Sequence, residues 1–370
     1  MKRIGQITLY KSLYGGILQC TALQLFLRNS GYDCELIQYS ADGLIRQKTL
    51  PRRILSCCAR SVSFLLTLKR CNNTAVFSRK FIRKSRFYKN EKALQAAVDY
   101  DSYITGSDQV WNSSNNNRSG AYFLDFAPEG RKRIAYAPSF GVTELSQSYA
   151  DFCAERLKRF DALSCREEQG AKLIDSLIGV KVPIVLDPVF LLSAEEWSTM
   201  MTPVRPKPHY ILCYQVGNVP ALRKLLSKRV QQLAEKRNCR VIWIGRPGYM
   251  RLKDPFAEGW DAGPAEFLRL IQDADAIVTN SFHGLAFSLI FHKEFWIITR
   301  TGEKDSNKGL DSRQINLLEK TGLISRWVKP GAEIPDSVSK IDYETVDGIL
   351  MEGLEKSKSF LRSALTNEPQ

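Results

Sequence analysis

The sequence predicts an α/β protein of two domains, each containing a parallel sheet flanked by helices. Three observations support this fold class. Apolar runs typical of strands alternate with helix-like periodicity, a proline-rich stretch interrupts the series, and 370 residues suffice for two domains. The interruption lies at 202–208, where three prolines in seven residues predict a stiff linker. We therefore expect an N-terminal domain at 1–200, a linker at 201–209, a C-terminal domain at 210–345, and a terminal helix and tail at 346–370.

The first half of the chain begins with a predicted strand at 4–9, a tight turn at 14–16 and a helix at 17–29, which Gly31 ends. Later apolar runs are predicted to be buried strands of the same sheet. They lie at 34–39, 100–105, 133–137, 162–165 and 184–186.

The second half repeats this alternation. Strands are predicted at 210–215, 241–245, 276–278 and 295–299, and helices at 220–236, 264–271, 282–291, around 315–318 and at 346–364. Two Rossmann-like halves form a cleft, which is the expected ligand site. Neither G-x-G-x-x-G nor G-x-x-x-x-G-K-[ST] occurs, so neither a nicotinamide or flavin dinucleotide nor a P-loop reaction is supported.

The composition is that of an ordinary globular protein, with 44% hydrophobic and 25% charged residues. We expect no transmembrane helix, because no window approaches about 18 uninterrupted apolar residues. We expect no signal peptide, because the first residues lack an apolar segment. The nine cysteines are scattered without a C-x-x-C pair, and there are only three histidines. The sequence therefore predicts reduced thiols, no structural zinc and a cytoplasmic protein.

The positive charge is concentrated in the segment 46–92. It contains fourteen Lys and Arg against one acid, Glu91, which gives +13 of the chain's net +14. Apolar residues are interleaved with the cations, which predicts one or two basic amphipathic helices inserted in the first domain. Two interpretations are equally open: attraction to an anionic membrane surface or a lipid-linked polyanion, and a solvated basic face. Nucleic acid is disfavoured as a partner, because no nucleic-acid-binding module accompanies the segment.

The most informative motif is 276–284, a strand-like run followed by a polar turn and a helix start. His283 lies at this turn. The crevice beyond strand ends in α/β sheets binds ligands, and a helix start offers N–H groups to anions. His283 is therefore a candidate acid–base group. The alternative is a helix cap or a satisfied hydrogen-bond partner.

Two other strand ends have candidate binding residues. Gly15 and Gly16 allow a ligand to approach the backbone closely, although helix–strand packing alone explains them equally well. Beyond the strand at 100–105, polar side chains surround an aromatic ring, a mixture that binds sugars; the alternative is a capping network at a helix start. These residues are Ser107, Asp108, Gln109, Trp111 and Asn112.

Three cations are candidate anion ligands. Arg166 follows the strand at 162–165 and has the planar fork that binds carboxylate or phosphate, although an ion pair with Glu167 or Glu168 is the stronger interpretation from the residues alone. Lys308 and Arg313 lie in or beside a polar, glycine-bearing segment. That segment is either a mobile loop that closes over an anionic donor or a plain solvated loop.

Six motifs, taken in order, resemble the polysaccharide pyruvyl transferase family. Together they span about 5–325, and the Gly-Ser-Asp-Gln-Val-Trp-Asn run is the most specific, whereas the basic segment lies outside the resemblance. The motifs are Gly-Ile-Leu-Gln at 16–19, Gly-Ser-Asp-Gln-Val-Trp-Asn at 106–112, Ser-Cys-Arg-Glu at 164–167, Leu-Asp-Pro-Val-Phe-Leu at 186–191, Thr-Asn-Ser-Phe-His-Gly at 279–284 and Ser-Arg-Gln-Ile at 312–315.

The resemblance implies two Rossmann-type domains in the GT-B arrangement. It implies transfer of the enolpyruvyl unit of phosphoenolpyruvate onto two hydroxyls of one sugar, which makes a pyruvate ketal without a metal or organic coenzyme. His283 would be the general acid, Asp108 a candidate base and Arg166 a donor ligand. Ser281 stands where well-studied branches place an arginine, so Arg313 or Lys308 would have to supply that charge.

These considerations give the expected site. Donor contacts are assigned to Arg166, Ser281, Gly284, Lys308 and Arg313. Acceptor contacts are assigned to Gly15, Gly16, Gln19, Ser107, Gln109, Trp111 and Asn112. We expect a cytoplasmic enzyme of glycan biosynthesis, peripheral at the inner membrane face, with a lipid-linked oligosaccharide as acceptor. The rival hypotheses are a GT-B glycosyltransferase that uses a nucleotide sugar and a membrane-docked glycan-binding protein without turnover.

Overall fold

A computed structural model describes most of the chain. The described residues are 1–11, 14–39, 67–95, 99–116, 119–203, 209–217, 220–245, 259, 261–299, 312–329, 332–336 and 339–366. They form two parallel sheets, the first from residues before 164 and the second from residues after 209. The sequence prediction of an α/β fold with two Rossmann-like domains is confirmed.

The first sheet has the strand order β3-β2-β1-β4-β5-β6, and every pairing is parallel. The order reverses between β1 and β4, and the crevice at such a switch point is where ligands bind. The strands are β1 (Arg3–Ile7), β2 (Asp33–Tyr39), β3 (Lys84–Tyr88), β4 (Ser102–Thr105), β5 (Lys132–Ala135) and β6 (Ala162–Leu163). The helices are α1 (Gly15–Asn29), α2 (Leu68–Phe81), α3 (Glu91–Gln95), α4 (Ser113–Asn116), α5 (Gln147–Leu157), α6 (Glu168–Ile178) and α7 (Ala194–Ser198).

The second sheet has the order β11-β10-β9-β7-β8 and is also parallel. Its switch point lies between β7 and β9, directly before the His283 turn. The strands are β7 (Tyr210–Tyr214), β8 (Arg240–Ile244), β9 (Ala276–Thr279), β10 (Glu294–Ile298) and β11 (Trp327–Val328). The helices are α8 (Pro220–Lys236), α9 (Pro264–Asp273), α10 (Phe282–Ile290) and α11 (Ser312–Lys320).

The last helix, α12 (Tyr343–Thr366), returns from the second sheet to the first. Leu361 and Leu365 are buried in the same apolar cluster as Ile4 of β1. The Ser357 hydroxyl accepts a hydrogen bond of 2.9 Å from the backbone N–H of Leu186. The chain therefore crosses between the two domains twice.

The two domains meet across a buried aromatic contact. Tyr14, next to the start of α1, stacks on Phe267 of α9 with 4.4 Å between ring centroids. The Tyr14 hydroxyl donates a 2.9 Å hydrogen bond to the carbonyl oxygen of Ala262. Both rings are fully buried, so the contact stabilises a closed cleft.

The basic segment is part of the first domain's framework in its described portion. It supplies a helix, α2, in agreement with the predicted helical character, and also the edge strand β3, which pairs with β2. Phe77, Ile82 and Tyr88 are buried and join this portion to the core. Residues 46–66 of the segment lie outside the described residues, as do 204–208 of the predicted linker.

One predicted strand is not a strand. At 184–186 the only ladder contact among the described residues is an isolated bridge between Ile184 and Cys165. Pro188 follows at once and begins a short 3₁₀ helix, Pro188–Leu191, which ends the extended conformation. The other predicted elements were found within about three residues of their expected ends. Among the described residues, the structure contains no helix of the length and apolarity that a bilayer crossing requires.

Candidate active site

A buried carboxylate, Asp187, is the centre of a polar cluster between the domains. One of its oxygens, Oδ2, lies 2.6 Å from Arg166 Nη1 and 2.9 Å from the Ser107 hydroxyl. The same oxygen lies 3.7 Å from His283 Nε2, which belongs to the second domain. Asp187 is 1% exposed. One carboxylate therefore joins the predicted donor arginine, the polar motif after β4 and the predicted acid.

The charges in this cluster stabilise one another. Burial by itself raises the pKa of Asp187, but the adjacent His283 and Arg166 lower it well below its usual range. Burial likewise lowers the pKa of Arg166, yet Asp187, Glu167 and Asp108 raise it above its ordinary value. Asp187 is thus a carboxylate and Arg166 a guanidinium cation at any physiological pH.

Arg166 has more carboxylate neighbours than the sequence indicated. Glu167 forms an ion pair with Arg166, one of the two pairs that the sequence suggested, with its Oε2 3.6 Å from Arg166 Nε. The strongest partner, however, is Asp187, and Glu168 instead pairs with Lys172 at 2.9 Å. The Arg166 guanidinium also lies over the ring of Phe282 at 4.7 Å, a contact from the opposite domain.

The turn that presents His283 is held rigidly by hydrogen bonds. The side chain of Asn280 accepts a bond of 2.7 Å from the backbone N–H of Val216 and donates one of 3.0 Å to the Val216 carbonyl. The backbone N–H of Ser281 donates to the Thr279 hydroxyl at 3.0 Å. Ser281 then occupies the N-cap position of α10, so His283 is in the first turn of that helix.

His283 is pressed against the first domain. It is 7% exposed, and its imidazole contacts the backbone of Gly15 so closely that a Cβ at Gly15 would overlap the ring. Gly15 is the first residue of α1, beyond the end of β1. The sequence predicted the close approach of a ligand at Gly15; in this structure the group that approaches its backbone is His283.

Asp108 and Arg313 complete the cluster from opposite domains. Asp108 Oδ1 lies 3.9 Å from Arg166 Nη2 and 3.7 Å from Arg313 Nη1. Gln314, next to Arg313 in α11, donates a 3.1 Å hydrogen bond to the carbonyl of Asn280. Helix α11 is thus anchored to the same turn that presents His283.

A cavity of about 290 Å³ adjoins this cluster between the domains. Arg166 and Asp187 line it from the first domain, and Phe282, Arg313 and Lys320 line it from the second. The predicted donor ligand Lys308 lies outside the described residues, so its place in the site stays a prediction.

Several buried polar atoms at this interface have capacity for a ligand. Within the described ranges, Arg166 Nε and Nη2, Glu167 Oε2 and His283 Nε2 are buried without a hydrogen-bond partner. Buried polar atoms are usually satisfied, and a catalytic role is one of the recognised explanations for an exception. Their cation and carboxylate character favours an anionic, hydroxyl-bearing ligand. Among the described residues there is no group of three or more His, Cys, Asp and Glu placed to hold a metal ion.

Two of the predicted acceptor ligands, Gln19 and Ser107, have structural contacts in this conformation. The amide of Gln19 donates to the Thr8 hydroxyl at 2.8 Å and to the Gly16 carbonyl at 3.0 Å. Its oxygen accepts the backbone N–H of Ser107 at 3.2 Å. Gln19 and Ser107 are fully buried, so they position the Asp187 cluster and do not present themselves to a sugar.

The structure places Trp111, the predicted sugar platform, in the core of the first domain. Its ring is fully buried, stacks on Phe123 at 5.4 Å, and donates from Nε1 to the Tyr122 carbonyl at 3.2 Å. An aromatic residue in a polar run is as compatible with a core position as with a binding face. In this structure Trp111 occupies a core position. Asn112 accepts the backbone N–H of Ser114 at 2.9 Å, which is the capping role named as its alternative. Gln109 is half-buried and packs against Gly141.

Gly284 is also better explained by packing than by donor contact. A Cβ at this position would collide with the side chain of Thr279 at the end of β9. The glycine therefore allows α10 to lie close to its own strand.

Sequence reasoning missed Asp187. Its Asp-Pro pair belongs to one of the six motifs, but no role was assigned to it. The available signal was that Asp187 directly follows the apolar run 184–186. Arg166 and His283 likewise follow the apolar runs of their own predicted strands.

Two parallel-sheet domains that close over a buried charged cluster define a GT-B-type α/β protein. Solved structures agree: the S. aureus MnaA–UDP co-structure has a TM-score of 0.51 at 11% identity and covers 100% of this chain and 99% of its own. A putative UDP-N-acetylglucosamine 2-epimerase from Listeria monocytogenes has a TM-score of 0.50 at 8% identity, covering 98% of this chain and 90% of its own. At such identities the likeness concerns the fold alone.

The family follows from the sequence match. The family model for polysaccharide pyruvyl transferase matches residues 14–302. The chain belongs to the polysaccharide pyruvyl transferase family, and it is a transferase. The matched range includes the basic segment, which the sequence motifs alone had left outside. A comparison with curated proteins finds no match.

Proposed function

We propose that this transferase moves the enolpyruvyl unit of phosphoenolpyruvate onto two hydroxyls of one sugar. Both hydroxyl oxygens bond to the enol carbon, and the bond from that carbon to the phosphate oxygen breaks. One hydroxyl proton converts the methylene to a methyl group, and the other leaves with inorganic phosphate. The balance is complete without a metal or an organic coenzyme.

The observation that best supports this proposal is the convergence of two guanidinium groups on one cavity. Arg166 and Arg313 come from opposite domains, line the same 290 Å³ space, and both lie within 4 Å of Asp108 Oδ1. Phosphoenolpyruvate has a carboxylate and a phosphate, and guanidinium forks bind both groups. Arg313 can thus replace the family arginine at whose position this chain has Ser281.

His283 is proposed as the general acid. It stands at the cluster beside Asp187, with Nε2 buried and without a hydrogen-bond partner in the described part of the chain. From there it would protonate the methylene carbon or the departing phosphate. Asp108, which borders both arginines, is the candidate base for the sugar hydroxyl.

The acceptor is proposed to be a sugar of a lipid-linked glycan precursor at the inner membrane face. The family implies a polysaccharide acceptor. A lipid-linked acceptor would also account for the strongly basic segment, because cations are attracted to the anionic bilayer that holds such an acceptor. The enzyme would then act in the cytoplasm on an exopolysaccharide, capsule or cell-wall precursor.

The test is phosphate release from phosphoenolpyruvate by the full-length protein, with and without a membrane lipid extract from the source cell. Release should depend on the extract and should fall by about 10²- to 10⁴-fold in His283→Gln. His209→Gln is the matched control, because His209 is 79% exposed. Extract-dependent release should persist there.

Other outcomes would redirect the assignment. Absence of phosphate release together with thermal stabilisation by a nucleotide sugar would favour glycosyl transfer. Absence of both phosphate release and stabilisation by a nucleotide sugar, with glycan binding retained in His283→Gln, would favour a binding protein without turnover.

A further inference from the structure

We propose that an exposed basic face on α2 and β3 binds an anionic phospholipid bilayer and holds the interdomain cleft next to it. The basic face is defined by Leu68, Val76, Arg79, Lys80, Phe87 and Lys89. Binding to the bilayer is independent of the reaction, whereas the delivery of a lipid-linked acceptor to the cleft rests on the proposed function.

The charge of this face matches an anionic surface. Residues 67–90 contain eight Lys and Arg and no Asp or Glu. Lys69 lies 3.4 Å from Asp261, and Arg83 lies 2.9 Å from Asp33. Arg79, Lys80 and Lys89 are exposed, so their charges face the solvent. Each such cation contributes about 1 kcal/mol of attraction next to an anionic bilayer, which corresponds to roughly a fivefold gain in affinity.

Apolar side chains are exposed among these cations. Leu68, Val76 and Phe87 are 46%, 50% and 49% exposed. Leu68 and Val76 are eight positions apart in α2, so they share the outer stripe of the helix with Arg79 and Lys80. Phe77 and Ile82 are buried and fix the inner side of the segment to the core. A basic stripe with exposed apolar side chains on an anchored helix is typical of surfaces that lie in a membrane interface.

The sheet topology places one end of this face, with Leu68, Phe87 and Lys89, at the rim of the cleft, while Arg79 and Lys80 in the last turn of α2 extend it away from the cleft. Because β3 is parallel to β2 and β1, its end lies at the same sheet edge as the end of β1. Lys11, beyond β1, lies 5.3 Å from the ring centroid of Phe87. The crossover helix α2 runs back along the sheet, so its first turn is also at this edge. In the second turn of α2, Asn73 donates a 2.9 Å hydrogen bond to the carbonyl of Asp261 in the second domain.

The experiment is flotation of the full-length protein with vesicles of phosphatidylcholine, with and without phosphatidylglycerol. Binding should require phosphatidylglycerol. Arg79→Glu with Lys80→Glu should weaken it at least about 30-fold, because two attractive charges are lost and reversed. Lys172→Glu with Lys356→Glu makes the same change in net charge on exposed helices elsewhere, and it should have a much smaller effect.

The apolar contribution is tested separately. Val76→Ser with Phe87→Ser should weaken binding several-fold, and the loss should persist at high salt, where charge attraction is screened. Met351→Ser is the control, since Met351 is 57% exposed on α12. Hydrogen exchange should slow at 68–89 on addition of the anionic vesicles and remain unchanged along α12.

The outcomes separate this proposal from the proposed function. Equal loss in the two charge-reversal pairs, protection confined to another surface, or no vesicle binding at all would overturn it. Binding to a duplex oligonucleotide in place of vesicles would also overturn it, in favour of nucleic acid. Phosphate release in detergent-dispersed extract should be unaffected by Arg79→Glu with Lys80→Glu, so a failure of vesicle binding leaves the activity measurable by itself.

Discussion

The imidazole of His283 lies against the backbone of Gly15, so that the closed cleft has room for no side chain at residue 15. The two residues belong to different domains and to the first turns of α10 and α1. In this conformation the proposed acid is therefore positioned by contact between the two domains.

Gly15→Ala should keep the domains from closing fully. We expect kcat/KM to fall roughly 100-fold, because displacement of a reacting group by about 1 Å has an effect of that size. The circular dichroism spectrum should be unchanged. Gly348→Ala is the matched control, since a Cβ at Gly348 in α12 meets nothing within 4 Å. Wild-type turnover in Gly15→Ala would show that the active conformation has a wider cleft.

Asp187→Asn should destabilise the fold at neutral pH. Removal of one member of a buried ion pair costs about 3 kcal/mol. The pKa of Asp187 is depressed below its ordinary value of 3.8, so its stabilisation is present above that pH and is lost as the pH falls further. Chemical denaturation should therefore show a large gap between wild type and variant at pH 7 that narrows in acid. Asp99→Asn, at a side chain that is 84% exposed, should show no such gap.

Arg313→Gln should weaken donor binding more than it slows the chemical step. A lost charge-assisted hydrogen bond is worth about 1.5–3 kcal/mol, so the KM for phosphoenolpyruvate should rise roughly 10- to 100-fold. Lys329→Gln removes an exposed cation of the same domain and should leave the KM unchanged. An unaltered KM in Arg313→Gln would assign the donor contact to another cation.

Trp111→Phe distinguishes a core role from a sugar platform. The variant loses apolar area and the hydrogen bond to the Tyr122 carbonyl, so we expect it to lose roughly 2 kcal/mol of stability. The acceptor KM should stay near the wild-type value. A raised acceptor KM with unchanged thermal stability would restore the sugar-contact hypothesis.

Local patterns predicted most of the fold because each signal is short in range. The helix at 17–29, for example, shows its periodicity and its terminating Gly31 within one window, and the structure extends it only to Gly15–Asn29. The strand at 184–186 was wrongly predicted, because an apolar run does not show whether a neighbouring strand is available to pair with it.

The sequence identified most residues of the candidate site, but it did not show how they contact one another. His283, Arg166 and Asp108 were each singled out by their positions after strands. Their common partner, Asp187, was not, because its role depends on contacts with residues 21 and 80 positions away along the chain. Sequence distance gives no information on such contacts until the strand order is known.

The basic segment shows how one signal can hide another. Its charge predicted a surface role, whereas the structure buries Phe77 and Ile82, two of the apolar residues interleaved with the cations. Deletion of 46–92 would consequently remove an edge strand along with the charge. Charge reversal at the surface is the cleaner experiment.

The return of α12 to the first sheet limits how the cleft can open. Two covalent connections join the domains. One lies before Tyr210, and the other lies within α12, between Asp347, 3.1 Å from His292, and Ser357, which is bonded to Leu186. Separation of the domains therefore becomes a rotation about an axis near both crossings. A fluorescent label on the last turns of α12, near Leu365, would move with the first domain despite its place near the C-terminal end of the sequence. Together with a second label on α8, it would report the rotation of one domain relative to the other.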